Sequence, residues 1–462
     1  MPRRHNLLAL AAMISASFWP VADLVLANGQ MRVSFSFVFW PLGILLFVAL
    51  AVVGLAPLVG TWQRAAAIVA PAAILFFSFS ALEPVLRHGL AAAGLARGVA
   101  VAFTAIWLGT SAMLARAATG RDGVQWLLAF PILALASTVA FAAAEQRWRP
   151  SAAARPITVP MRFATRPNVY HFLFDGMGRP DVLKSVLHLD IGPGPSELAR
   201  RGFVLPPGVE ATQLATIPSI TTMLVPGTAA AGARDIDIAA SPVAQVFRAN
   251  GYRVAQYGEV FTFAACKGQE DICLSNFGLS LSEFDIAIVR RTPIYPVVSR
   301  YLLAATSSRG LFANLNNIAS TPRPQPTFTF AYMVPPHPPF IFGKDCRADL
   351  TDENDFRAWR HASIPRYGQA YRCVMQALLP AVDRIITRDP NAVILVSGDH
   401  GTMFLRSQTS DRPWSAASLA ERRPVLVAAR APARCRDDLG RIGNLTELYP
   451  RLFDCLVVRG PD

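Results

Sequence analysis

Charge is scarce in this 462-residue chain, where Asp, Glu, Lys and Arg together make up 16%. An ordinary soluble domain carries roughly 25%, so a wholly soluble chain is excluded. Disorder and a coiled coil, both of which need more charge than this, are excluded with it. Lysine is nearly missing: Lys184, Lys267 and Lys344 are the only ones, and the +13 net charge is almost entirely arginine. Cysteine is absent from the first 260 residues, and no CxxC spacing occurs anywhere, which removes the usual cysteine metal clusters and dithiol redox motifs. Histidine is absent after His400. No internal repeat or low-complexity tract is present, which excludes solenoids and arrays.

What is abundant is apolar: hydrophobic residues make up 52% of the chain. Five stretches before residue 146 approach the ~20 apolar residues that cross a bilayer, at about 7–27, 36–59, 65–81, 99–114 and 124–144. The charges fall in the short gaps between them. Residues 1–168 hold 13 Arg and four acids, while the remainder is almost balanced, so the basic excess flanks membrane spans and is no nucleic-acid footprint. The arginines do not orient the spans, because Arg3, Arg4, Arg64, Arg116 and Arg121 on one side match Arg32, Arg87, Arg97, Arg147 and Arg149 on the other. The cysteines do. All six follow residue 260, an even number in one domain that reads as a disulfide set in an oxidising compartment, with Cys266 and Cys273 the expected first pair. The chain therefore reads as an integral membrane protein of the inner or plasma membrane with its C-terminal domain periplasmic or extracellular. Asp23 lies inside the first span, where a carboxylate is costly; it is expected to sit near the headgroups or to pair with another segment, or else to be functional.

Residues 146–168 are rich in Arg, Pro and Ala and read as a linker. From 169 to 462 strand-length apolar runs alternate with helical patterns, which predicts an α/β domain with a mostly parallel sheet flanked by helices. The strand candidates are 169–174, 253–257, 327–333 and 393–397, with a long helix over 367–387. In such sheets ligands bind beyond the carboxyl ends of the strands. The first candidate is followed by Asp175-Gly176, the last by Asp399-His400-Gly401, and the third by the run Pro335-Pro336-His337-Pro338-Pro339. Carboxylate oxygens mixed with imidazole suit a divalent cation, Zn²⁺ or Mn²⁺ first, with Mg²⁺ or Ca²⁺ as alternatives. A fourth element is a hydroxyl-rich stretch, EATQLATIPSITTMLVPG at 210–227, where a hydroxyl at a helix start next to a cation becomes a nucleophile.

Together NVYHFLFDGMGRPD, TIPSITTMLVPG, YMVPPHPPFIF and LVSGDHG resemble the alkaline phosphatase superfamily, in particular its sulfatase-like branch. The resemblance covers about 167–457. Membrane-anchored members such as lipoteichoic acid synthases and phosphoethanolamine transferases also carry about five N-terminal spans. The resemblance implies Asp175, Asp399 and His400 as ligands of one metal, Thr216 as nucleophile and metal ligand, His337 as an acid facing the substrate, and Arg179 as a possible phosphate contact. A second register, that of the phosphoethanolamine transferases, puts Gln213 at the nucleophile position with Thr212 beside it. Thr216 and Ile220 stand where formylglycine sulfatases need Cys or Ser and Arg, so a true sulfatase is not expected. The lack of a histidine after His400 favours one metal, although His361 with Asp352 or Asp355 offers a second site. The resulting expectation is a membrane-anchored, metal-dependent hydrolase or transferase of phospho- or sulfo-esters of a lipid or envelope polymer. The alternative is a degenerate relative that only binds its ligand.

Overall fold

A computed structural model of the chain describes residues 2–27, 35–91, 98–147, 161–227, 236–258, 264, 266, 268–274, 283–347, 359–406 and 413–457. It divides into two compact units, Met1–Ala152 with Leu281–Leu302, and Ala153–Ser280 with Leu303–Asp462.

The first unit is helical: α1 (Pro2–Ala27), α2 (Phe35–Val59), α3 (Trp62–Phe76), α4 (Phe79–Ala91), α5 (Val99–Ala117) and α6 (Arg121–Arg147). Four of these are long and apolar enough to cross a membrane, and a fifth crossing forms if α3 and α4, bent by 59°, count as one span. The stretch read as 65–81 is thus divided near Phe77 and Ser78, where the Ser78 hydroxyl bonds back to the Ile74 carbonyl at 2.8 Å. Apolar length alone does not reveal such a break. One end of the bundle is marked by Gln63 donating to Asn6 Oδ1 (2.6 Å) and Arg64 donating to the Thr119 carbonyl (3.3 Å). The opposite end receives a segment from far along the sequence: α11 (Glu283–Arg290) and the start of α12 (Tyr295–Ser320). There Arg291 pairs with Asp23, lies over the Trp19 ring at 5.3 Å, and accepts through its carbonyl from the Phe79 N–H at 3.0 Å. Trp40 Nε1 donates to Asp285 Oδ1 at 2.7 Å. Asp23 therefore has a cationic partner, which resolves its cost, and the partner comes from a region that the reading of 169–462 as one domain had assigned elsewhere.

Among its described residues the second unit holds six strands: β1 (Val169–Phe174), β2 (Arg253–Tyr257), β3 (Ile272–Cys273), β4 (Thr327–Met333), β5 (Val393–Gly398) and β6 (Val427–Arg430). Their order is β3-β2-β4-β1-β5-β6, all parallel except β6, which runs against β5. Every residue of β1, β4 and β5 is buried, as expected where helices cover both faces. The pleat divides β1 between two cores. Phe172 and Phe174 pack with Tyr367 and Leu378 on one face, and Val169 and Leu173 with Phe247, Phe328 and Tyr449 on the other. Helices α7 (Pro180–Leu187), α8 (Gly194–Arg200), α9 (Thr216–Leu224), α10 (Pro242–Ala249), α13 (Ile364–Arg388), α14 (Ala416–Arg422), α15 (Arg436–Gly440) and α16 (Leu448–Leu456) make up the layers. Three disulfides, Cys266–Cys273, Cys346–Cys373 and Cys435–Cys455, use all six cysteines. The stretch 146–168, expected to be a linker, lies largely outside the described residues.

Candidate metal and nucleophile site

β1 and β5 are neighbours in register, Phe174 opposite Gly398, so the residues after them emerge side by side. Gly176 turns the chain after Asp175 with φ +68, the region that favours glycine. Gly401 has a different reason: a Cβ there would meet the Glu421 and Pro424 carbonyl oxygens at 2.4 and 2.8 Å. The Asp399 carboxylate is fixed through Oδ1, which accepts from the backbone N–H groups of Gly176 and His400, both at 2.9 Å. Its Oδ2 is buried and has no partner. Asp175 is fixed through Oδ2 by the Tyr332 hydroxyl at 2.6 Å, and its buried Oδ1 likewise has no partner. His400 Nδ1 faces the Gly401 carbonyl at 3.0 Å. A carbonyl only accepts, so Nδ1 carries the proton and Nε2 turns its lone pair toward Asp399 Oδ2 (3.3 Å) and Asp175 Oδ1 (3.5 Å).

Thr216 opens α9, and its Oγ1 completes the cluster at 3.1 Å from His400 Nε2 and 3.4 Å from Asp175 Oδ2. Burial pushes both carboxyls above their usual range, and for Asp399 the charge of Asp175 adds to the rise. Burial also pushes His400 well below its ordinary value, aided by the charge of Arg422. Two orphaned carboxylate oxygens and an imidazole lone pair converging in a dry site repel one another until a cation sits among them. Ligand atoms of Asp175, Asp399 and His400 all lie within 4.8 Å of one another. Two carboxylates, one imidazole and one hydroxyl fit a single divalent cation.

The other expected residues fall at different distances from this cluster. The His337 ring centroid lies 6.5 Å from that of His400 and 5.3 Å from Trp359. Its Nδ1 donates to the Pro338 carbonyl at 2.9 Å, leaving Nε2 as an acceptor, and burial holds its pKa near 4. Arg179 is occupied elsewhere, by the Asp181 carboxylate at 2.7 Å and the Val209 carbonyl at 3.2 Å. Thr212 is exposed and its Oγ1 lies 3.4 Å from Thr222 Oγ1, whereas Thr216 is the threonine bonded to Asp175 and His400, so the geometry gathers Thr216. His361 is exposed at the start of a short turn, and it joins no cluster of three metal-ligating groups among the described residues. Asp352 and Asp355 lie outside the described residues.

Three site residues escape a sequence reading. Tyr332 sits within β4, where it counts as an apolar strand residue. Glu421 and Arg422 end α14, both buried; Glu421 accepts from the Thr402 hydroxyl (2.7 Å) and from the Leu405 N–H (2.8 Å). The signal available was the run Glu421-Arg422-Arg423 abutting an apolar strand, a place where charge is unexpected.

No family profile matches the chain, and no curated protein matches it. Among solved structures, similar ones include the C-terminal periplasmic domain of EcEptC from Escherichia coli, at 12% identity over 66% of this chain and 86% of that one, TM-score 0.46. The integral membrane lipooligosaccharide phosphoethanolamine transferase A from Neisseria meningitidis is 14% identical over 98% of this chain and 95% of its own, TM-score 0.44. The phosphonate monoester hydrolase of Agrobacterium radiobacter is 16% identical over 63% and 74%, TM-score 0.41. The functional reading rests on the geometry of the site itself.

Proposed function

We propose that this chain is a membrane-anchored enzyme that transfers or hydrolyses a phospho- or sulfo-ester through Thr216, using one divalent cation held by Asp175, Thr216, Asp399 and His400. The observation that carries this reading is the convergence of Asp175 Oδ1, Asp399 Oδ2, His400 Nε2 and Thr216 Oγ1. A bound cation supplies a lowered Thr216 pKa and neutralises charge on the transferred group. The N-terminus of α9 adds its positive end to the Thr216 oxyanion. Thr216 Oγ then bonds to phosphorus as the leaving-group oxygen departs, giving a phosphothreonine. An acceptor hydroxyl or water attacks that phosphorus and restores Thr216. His337 starts neutral with Nε2 free; once a bound anion has raised its pKa it takes a proton from solvent, gives it to the leaving oxygen in the first step, and, neutral again, accepts the acceptor's proton in the second.

The apolar helices support an integral membrane protein, and they support a lipid or lipid-linked substrate, whose effective concentration the anchor raises. The disulfides support an oxidising, extracytoplasmic compartment for the α/β domain.

The test uses the full chain in detergent. It is incubated with an aryl phosphate or phosphodiester, then analysed for metal and by peptide mass. About one metal per chain and a phosphate adduct on Thr216 are expected; Asp399→Ala is expected to lose the metal without unfolding, and Thr216→Ala to lose the adduct. Metal content unchanged in Asp399→Ala, or an adduct on Thr212, would overturn the assignment.

A further inference from the structure

Arg422 is a buried cation, 6% exposed, that the four-ligand cluster does not use. Its position is set by two backbone carbonyls. Nε donates to Leu214, two residues before Thr216, and Nη1 donates to Gly401, both at 2.9 Å. The Gly401 carbonyl also receives His400 Nδ1 at 3.0 Å. The guanidinium thus bridges the turn before the nucleophile and the turn after the metal-binding histidine. Among the described residues it forms no ion pair, and its Nη2 donates to no acceptor. The neighbouring carboxylate of Glu421 is turned away, toward Thr402 and the Phe404 and Leu405 N–H groups.

An arginine buried without a carboxylate is expensive to keep. The charge inventory indicates what offsets that cost. With a divalent cation in place, Asp175 and Asp399 are neutralised, and the one carboxylate charge left to act on Arg422 is that of Glu421, whose oxygens are bonded elsewhere. Its charge reaches Asp175, Asp399, His337 and His400 alike. With Nε and Nη1 engaged, Nη2 remains to give a charge-assisted bond to one oxygen of a tetrahedral oxyanion.

Building on the proposed function, we propose that Arg422 is the anion-binding residue of the site: its free Nη2 edge holds a non-bridging oxygen of the transferred phosphoryl or sulfuryl group beside Thr216. Arg179, the arginine that the sequence singled out, is already engaged by Asp181.

The experiment measures inorganic phosphate binding by calorimetry and metal content on the full chain in detergent, for the native protein, Arg422→Gln and Arg422→Lys. Expected are phosphate affinity lower by about 10- to 100-fold in Arg422→Gln, partial recovery in Arg422→Lys, and the same metal content in all three. An aryl phosphate substrate should show the loss mainly in KM. Equal phosphate affinity in native protein and Arg422→Gln would reduce Arg422 to a loop tie, while a Thr216 adduct in the same samples would leave the enzyme reading standing. If Arg422→Gln fails to fold, Arg422→Lys decides: unchanged affinity relative to native protein refutes the Nη2 contact. A native protein with neither metal nor adduct refutes the enzyme reading, and if it also fails to bind phosphate, Arg422 falls with it.

Discussion

Tyr332 shows how much one hydroxyl controls. Its bond to Asp175 Oδ2 aims Oδ1 at the shared point beside His400. Outer partners of ligands typically govern 10- to 100-fold in metal affinity. Tyr332→Phe should therefore weaken metal binding by roughly that factor in a chelator competition, with about 1 kcal/mol of stability lost. His171 is a different case, a buried histidine with a structural task. It is held between the Tyr449 hydroxyl (2.7 Å) and Ser397 Oγ (2.8 Å), and burial lowers its pKa to about 3. The folded value lies below the unfolded one, so its contribution is complete above about pH 6.5 and is lost as pH falls toward 3. The full effect is roughly 5 kcal/mol, of which about 3 is lost by pH 4. Denaturant unfolding from pH 7 to pH 4 should show this loss, and His171→Gln should flatten the slope. An unchanged slope would mean that other groups set the acid limit.

At the scale of elements, the site is a property of strand ends. Parallel strands buried on both faces are continuous apolar runs, so β1, β4 and β5 were legible, and with them the positions of Asp175, His337 and Asp399-His400. Strand β3, only two residues long, and β6, a short antiparallel edge, gave no run of their own. The choice between Thr212 and Thr216 was not legible either. Both lie in one hydroxyl-rich stretch, and only the start of α9 decides which oxygen faces His400. The Asp-His-Gly turn depends on its last residue. Gly401→Ala would press a methyl group against two carbonyl oxygens, at a cost of about 2–3 kcal/mol. Thermal unfolding should shift accordingly, and metal affinity should fall with it, because the His400 backbone moves. A variant as stable as the native protein would show that this turn is soft.

At the scale of the whole molecule, the helical unit has two distinguishable ends. Asn6, Gln63, Arg64 and Thr119 meet at one, while Asp23, Trp40, Phe77 and Phe79 meet residues 285–291 at the other. On the proposed extracytoplasmic placement of the α/β domain, the first end is expected to face the cytoplasm. Thr119→Cys should react with an impermeant thiol reagent only after the membrane is permeabilised, whereas labelling in intact cells would invert the topology.

Composition and pattern determined the classes of structure present. Apolar length dictates spans, continuous apolar runs dictate buried parallel strands, and a carboxylate or histidine just past such a run dictates where chemistry can occur. These are local or periodic properties, and they survive without neighbours. The tertiary structure decided what depends on two distant segments meeting. Arg291 reaches Asp23 across 268 positions, Arg422 reaches Leu214 across 208, and Tyr332 reaches Asp175 across 157. No periodicity encodes such pairs, because each results from how whole elements pack, and packing is where an isolated carboxylate or guanidinium acquires its partner.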